Sequence, residues 1–109
     1  MPQANAIVLR IRSDQQEEFE RLFVAEELPL WDEFVGNGKF LAARLARVEY
    51  GIEERDDVAL YILYVEVPGM AEHHEHDSDP RFVEFLAKAR ALQPEAPSVF
   101  GGDIVFSRG

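Results

Sequence analysis

Val58-Ala59-Leu60-Tyr61-Ile62-Leu63-Tyr64-Val65-Glu66-Val67 is apolar at nearly every position and rich in branched and aromatic residues. Its length and composition read as a β-strand, with Pro68-Gly69 ending it. Side chains alternate across a strand, so Ala59, Tyr61, Leu63, Val65 and Val67 share one face. Val58, Leu60, Ile62 and Tyr64 share the other. A strand that is apolar on both faces belongs at the centre of a sheet covered on both sides.

The segments on either side of this strand supply the rest of the sheet. Ala6 to Arg12 alternates Ile7, Leu9 and Ile11 with Val8, Arg10 and Arg12, which reads as an earlier strand. Ser13 follows as a candidate helix N-cap with Gln16 three residues on, and Asp14, Glu17 and Glu18 suit the positive end of the helix dipole. Phe19, Leu22, Phe23 and Glu26 keep helical spacing, and Pro29 is expected to interrupt or kink it. A second helical stretch, Leu30 to Val35, carries Trp31, Phe34 and Val35 on one side. Gly36-Asn37-Gly38 is a turn.

Lys39 to Tyr50 reads as a long strand, although Leu41-Ala42-Ala43-Arg44-Leu45-Ala46 is also rich in helix formers. The turn before it and the polar connection Gly51 to Asp57 after it favour the strand. Met70 to Asp77 is polar and long enough for one or two helical turns. Asp79 is placed to cap a helix that begins at Pro80 and buries Phe82, Val83, Phe85, Leu86 and Ala89. Ser98 to Ser107 is the last strand, where Gly101-Gly102 predicts a bulge or a close backbone approach.

The order β, α, β, β, α, β predicts an α+β domain over residues 1–109: a ferredoxin-like four-stranded antiparallel sheet with two helices on one face. Those helices leave one face of Val58 to Val67 uncovered. Phe100, Ile104 and Phe106 of the last strand are apolar on one face as well, and Val99 and Val105 on the other. Either long loops cover the bare face or a second copy does, and short loops favour a homodimer.

Charge and composition exclude several partners. The 109 residues carry a net charge of −10, which opposes both nucleic acid and an anionic membrane surface. There is no cysteine, hence no disulfide and no thiolate nucleophile or ligand. Met1-Pro2-Gln3-Ala4-Asn5 has no basic signal-peptide region and no stretch has membrane-spanning length, so a cytoplasmic location is expected.

Candidate chemistry is sparse. Glu72-His73-His74-Glu75-His76-Asp77 clusters three histidines, and on a helix His73 would share a face with His76 and Asp77. The cluster suits a solvated polar helix, a metal site or acid–base catalysis; its spacing matches no established zinc signature. His73, His74 and His76 are the catalytic candidates, and no metal or other cofactor is expected. Trp31 is either a core aromatic or a pocket-mouth residue; Tyr61 and Tyr64 point to opposite faces and either pack or line the inter-sheet space or the helix-side pocket, with Tyr64 the candidate. Arg10, Arg12, Arg44 and Arg47 on strands need partners, with Asp103, Glu49 and Glu66 the acids considered. A buried arginine such as Arg44 could instead hold a substrate carboxylate.

The layout resembles the dimeric α/β-barrel superfamily, in which two ferredoxin-like protomers pair their sheets. Gly38-Lys39-Phe40-Leu41-Ala42-Ala43-Arg44-Leu45-Ala46-Arg47-Val48 is similar to the second strand of one uncharacterised bacterial family in that group. The superfamily holds small monooxygenases of antibiotic biosynthesis, muconolactone isomerase-like proteins and stress-responsive barrel proteins. The resemblance implies a homodimer and a cofactor-independent, monooxygenase- or isomerase-like enzyme acting on a small organic molecule. The alternative is a non-catalytic dimeric ligand-binding or structural module, because this fold carries many activities.

Overall fold

The computed structural model describes residues 1–108. Strand β1 (Gln3–Arg12) lies between β3 (Val58–Val67) and β4 (Ser98–Asp103), and β2 (Ala42–Arg47) flanks β3. The order β2-β3-β1-β4 is antiparallel throughout, which is the ferredoxin-like topology. The sheet register pairs Ile7 with Leu63, Leu9 with Tyr61 and Ala43 with Val65. These residues therefore share one face. The helical layer covers it, and the core cluster of Leu9, Ile11, Phe19, Phe23, Tyr61, Val65 and Phe85 lies between.

Each predicted helical region is divided in two. The first runs as α1 (Gln16–Leu22), a π-helical turn (Phe23–Glu27) and α2 (Leu28–Gly36). The wide turn has a geometric reason. Residues four apart on an α-helix drift by about 40° per step, because a turn holds about 3.6 residues. Phe19, Phe23, Glu27 and Trp31 are each four apart and all are buried. An extra residue in one turn offsets the drift and keeps the row facing the sheet. Pro29 then falls in the first turn of α2, where a missing N–H leaves nothing unpaired, so it starts a segment instead of kinking one. The same rotation exposes Val35, which was expected inside, and buries Leu30.

The second region is α3 (Met70–Ser78) followed by α4 (Pro80–Arg90). Asp79 caps α4 as expected, accepting from Arg81 N at 2.9 Å. Ser13 does not cap α1; its hydroxyl donates to Asp56 O at 2.7 Å and ties the β2–β3 loop to the start of the helical layer. Within α4, Phe85 and Ala89 are buried, whereas Val83 faces outward. Strand β2 is shorter than expected, although Leu41 N to Glu66 O and Val48 N to Leu60 O extend its hydrogen bonding by one residue at each end. Strand β4 stops at Asp103. Gly101 makes the predicted close approach: a Cβ there would lie 2.9 Å from Asn5 Oδ1. Gly38, at φ +74°, takes the left-handed turn after α2.

The open face of the sheet carries Val8, Leu60, Ile62, Tyr64 and, at its β4 edge, Phe100. Ile62 and Phe100 are 43% and 64% exposed. One end of this face is sheltered, because Glu53 of the β2–β3 loop folds back to Arg10 with two hydrogen bonds of 2.9 and 3.0 Å. Val58, at that end, is buried. No helix among the described residues is long and apolar enough to cross a membrane.

Phe19 is fully buried against Phe23 and Tyr61, with ring centroids 6.1 and 4.9 Å away. Phe19→Ala should cost about 3–5 kcal/mol of stability, the usual range for emptying a buried phenylalanine site. Urea unfolding followed by circular dichroism checks this; a loss below about 1 kcal/mol would contradict the core assignment.

Candidate functional site

The helical layer does not close fully on the sheet. A cavity of about 280 Å³ lies between them. Its walls are mostly apolar: Ile7, Leu9, Leu63 and Val65 from the sheet, Phe19, Phe23 and Trp31 from the first helical region, and Phe82, Phe85 and Leu86 from α4. For scale, an apolar cavity of about 150 Å³ accepts benzene, so this one has room for a one- or two-ring molecule.

Three residues of this lining each carry a buried polar atom with no hydrogen-bond partner within the chain: Asn5 (Nδ2), Glu27 (Oε1) and Gln93 (Oε1). Each belongs to a residue otherwise held in place. Asn5 lies on β1 against Gly101. Gln93 Nε2 donates to Ala89 O at 3.3 Å. Glu27 Oε2 accepts from Trp31 Nε1 at 3.2 Å and contacts His76 Nε2 at 2.9 Å. The set combines one donor amide with two acceptor oxygens on a mainly apolar wall, which is the usual make-up of a small-molecule site.

Glu27 is 1% exposed, and a carboxylate at such depth needs a counter-charge. His76 supplies it. Its ring is enclosed by Phe34, Phe40 and Phe82, with centroids at 5.6, 5.1 and 4.3 Å. Nε2 meets Glu27, and Nδ1 meets Asp77 Oδ1 at 3.0 Å. Burial alone would push the imidazole pKa down, but the hydrogen bonds and charges of Asp77 and Glu27 outweigh it and raise the pKa to about 9. Burial likewise opposes ionisation of Asp77, yet its hydrogen bond to His76 and the nearby histidines hold it below the ordinary aspartate value. Asp77 Oδ2 lies 2.8 Å from His73 Nε2.

The structure thus separates the candidate residues. Trp31, His73 and His76 line the cavity, as does Asp77. His74 is exposed on the outer side of α3. Tyr64 and Arg44 do not line the cavity. They face each other across β3 and β2 on the opposite side of the sheet, because their positions alternate with Leu63, Val65, Ala43 and Leu45. The Tyr64 hydroxyl donates to Glu66 at 2.9 Å, and Arg44 is exposed. Tyr61 is on the helix side, but its ring fills the core and its hydroxyl donates to Glu20. Burial and that bond raise its pKa to about 12. The strand arginines find other acids than those considered: Arg47 pairs with Glu20 and Arg10 with Glu53, while Arg12 donates to Ala91 O. Among the described residues, no three His, Asp or Glu side chains are placed to share a metal ion.

Three residues were missed: Glu27, Asn5 and Gln93. A signal existed for Glu27, since it lies at four-residue spacing in the otherwise aromatic row Phe19, Phe23, Trp31. Its neighbour Glu26, placed on the apolar stripe by regular helical spacing, turns outward to Lys88 Nζ at 2.7 Å.

No family model matches the chain, and no curated protein matches it. Solved structures do. Rv0793 from Mycobacterium tuberculosis is 16% identical with a TM-score of 0.75, covering 100% of both chains. A candidate antibiotic biosynthesis monooxygenase from Caulobacter crescentus CB15 is 18% identical, with a TM-score of 0.75 over 96% of this chain and 91% of that one. SnoaB, a cofactor-independent oxygenase from Streptomyces nogalater solved in a mutant form, is 15% identical, with a TM-score of 0.66 over 96% of this chain and 95% of its own. At these identities the likeness shows the fold: this chain has the ferredoxin-like architecture of the small monooxygenase-like proteins.

The elevated pKa of His76 links stability to pH. Its folded value lies above the unfolded value of about 6.5, so its contribution is fully present below pH 6.5 and is lost as pH rises through 9. The loss should be on the order of 3 kcal/mol, and His76→Ala should flatten that part of the curve. Urea midpoints measured from pH 6 to 10 test this. A wild-type curve no steeper than the variant's in that window would contradict the ion pair.

Proposed function

We propose that this protein is a cofactor-independent, monooxygenase-like enzyme that removes a proton from a small aromatic or lactone-like molecule held between helices and sheet. One observation carries the reading: Glu27 lines an apolar cavity with one buried carboxyl oxygen, Oε1, unpartnered and the other held by Trp31 and His76. The base is then Glu27, and His76 is the charged group that positions it. His76 holds its proton at neutral pH, so it is less suited to accept one.

The chemistry closes without a bound cofactor. Glu27 takes a proton from a methylene activated by neighbouring carbonyl or phenol groups. The carbanion passes its electrons to dioxygen and binds it; the adduct then loses water to leave a carbonyl. One oxygen atom enters the product and the other leaves as water. Asn5 Nδ2 and Gln93 Oε1 orient the ligand's own acceptor and donor. Without dioxygen, returning the proton at another carbon gives an isomerase. A non-catalytic binding module is the second reading, and the same orphaned atoms support it equally.

Trp31 is the only tryptophan and lines the cavity, so its fluorescence reports occupancy. Adding 1-naphthol, a two-ring phenol that keeps its O–H proton at neutral pH, should quench it saturably, and Glu27→Gln should weaken that binding tenfold or more. Equal binding by wild type and variant would remove Glu27 from the site. Oxygen consumption with an activated methylene substrate then separates the enzyme from the binding module.

The same reading makes the protein a cytoplasmic homodimer that pairs its open sheet faces. The exposed apolar residues Ile62 and Phe100, far from any helix of the same chain, support it. Sedimentation at micromolar concentration should give twice the 12.4 kDa protomer mass. Ile62→Lys should shift the equilibrium to the protomer, and a wild-type protomer at that concentration would sink the dimer.

A further inference from the structure

We propose that Asp77 and His73 form a proton port, through which the buried His76 exchanges its Nδ1 proton with bulk water. The inference rests on the reading of Glu27 as a base, because a buried acid–base pair needs a way to reset its protonation.

The geometry is a chain of contacts from a buried ring to two part-exposed side chains. The His76 side chain is 10% exposed, and its Nε2 faces inward to Glu27. Nδ1 faces outward to Asp77 Oδ1 at 3.0 Å. Asp77 is 43% exposed and uses its second oxygen for His73 Nε2 at 2.8 Å. The His73 side chain is 27% exposed and also lines the cavity. Phe34, Phe40 and Phe82 surround the rest of the His76 ring and offer it no polar exit. The charged groups facing His76 are Glu27 from the π-helical turn, Asp77 on its own helix and, at longer range, Asp79.

Release is a single transfer. The Nδ1–H bond breaks and an O–H bond forms on Asp77; that proton then passes to His73 Nε2 and from the imidazole to water. The reverse sequence restores the imidazolium. Asp77 is a poor resting site for a proton, being held below its ordinary value, so it passes the proton on without storing it. Asp77 and His73 are positioning and exchange residues; neither is assigned contact with the reacting atoms. When Glu27 has accepted a ligand proton, release from His76 returns the pair to neutrality inside a low-dielectric cavity.

The full-length protein with nitrogen-15 histidine tests this with no ligand present. Exchange of the His76 Nδ1 proton with water is read by saturation transfer, and the Nε2 shift reports the bond to Glu27. Asp77→Asn, whose amide cannot relay a proton, should slow the exchange tenfold or more and lower the pKa of His76. His73→Gln, at a partly exposed position, should slow exchange several-fold while leaving the His76–Glu27 bond in place. Unchanged exchange in Asp77→Asn with the Nε2 shift retained overturns the port. If Asp77→Asn does not fold, an unchanged rate in His73→Gln overturns it alone. A failed exchange result leaves probe binding at Glu27 untouched, and failed binding leaves the exchange result untouched.

Discussion

A carboxylate enclosed by aromatic rings must be neutralised where it stands, and much of the helical layer is arranged around that requirement at Glu27. The π-helical turn brings Glu27 into the row of Phe19, Phe23 and Trp31. Trp31, one turn on, donates to it. His76 arrives from the other helical region, and Asp77 completes the row of charges outward. Breaking a buried pair by removing one partner is far more damaging than its net worth suggests, because a lone charge is left behind. The two helical regions are therefore joined by an interaction that cannot be half made. An apolar pair of similar size could hold the layer as well, so the ionic choice points to chemistry more than to stability.

The sheet divides its labour by face. On the helix side, β1 and β3 contribute the floor of the cavity; on the other side the same strands present Leu60, Ile62 and Tyr64. Period-two alternation makes these two surfaces chemically independent: a side chain can serve one and not the other. This is why Tyr64 and Arg44 lie on the open face and not on the cavity between helices and sheet. The β2–β3 loop shelters only the end of the open face near Arg10 and Val58, and Ile62 and Phe100 stay exposed. The loop thus accounts for one end of this surface and leaves the other open.

Most of the fold was legible because it depends on strong local signals. The two-faced apolar run Val58 to Val67, the turn at Gly38 and the Asp79-Pro80 helix start each have one dominant physical cause, and the four strands follow in order. What failed were the phases of helices. An ordinary α-helical wheel puts Glu26 on the apolar stripe, Val35 inside and Pro29 at a kink. The wide turn, set by tertiary packing, rotates all three. The site was less legible for a related reason. His76 stood out by composition, and Trp31 by being the only tryptophan, but Glu27, Asn5 and Gln93 are ordinary polar residues until the fold brings them to one cavity. Glu27 alone left a trace, as an acid at aromatic spacing.

Those three residues also weigh against a merely imperfect core. A buried polar atom left without a partner costs about 1–3 kcal/mol. Three on one cavity would cost roughly 3–9 kcal/mol, against a total stability of about 5–15 kcal/mol for a domain of ordinary size. At positions 5 and 93 an apolar side chain would carry no such cost, whereas at position 27 it would strand the charge of His76. Water or a ligand reaching the three atoms from the adjoining cavity would remove that cost. Water alone would serve a hydrophilic pocket, but Phe23, Phe82 and Phe85 offer it few partners. An occupant that is planar and apolar in its body, with polar atoms at its edge, meets the aromatic walls and the orphaned atoms together. Its donor would meet Glu27 Oε1, which has no partner within the chain.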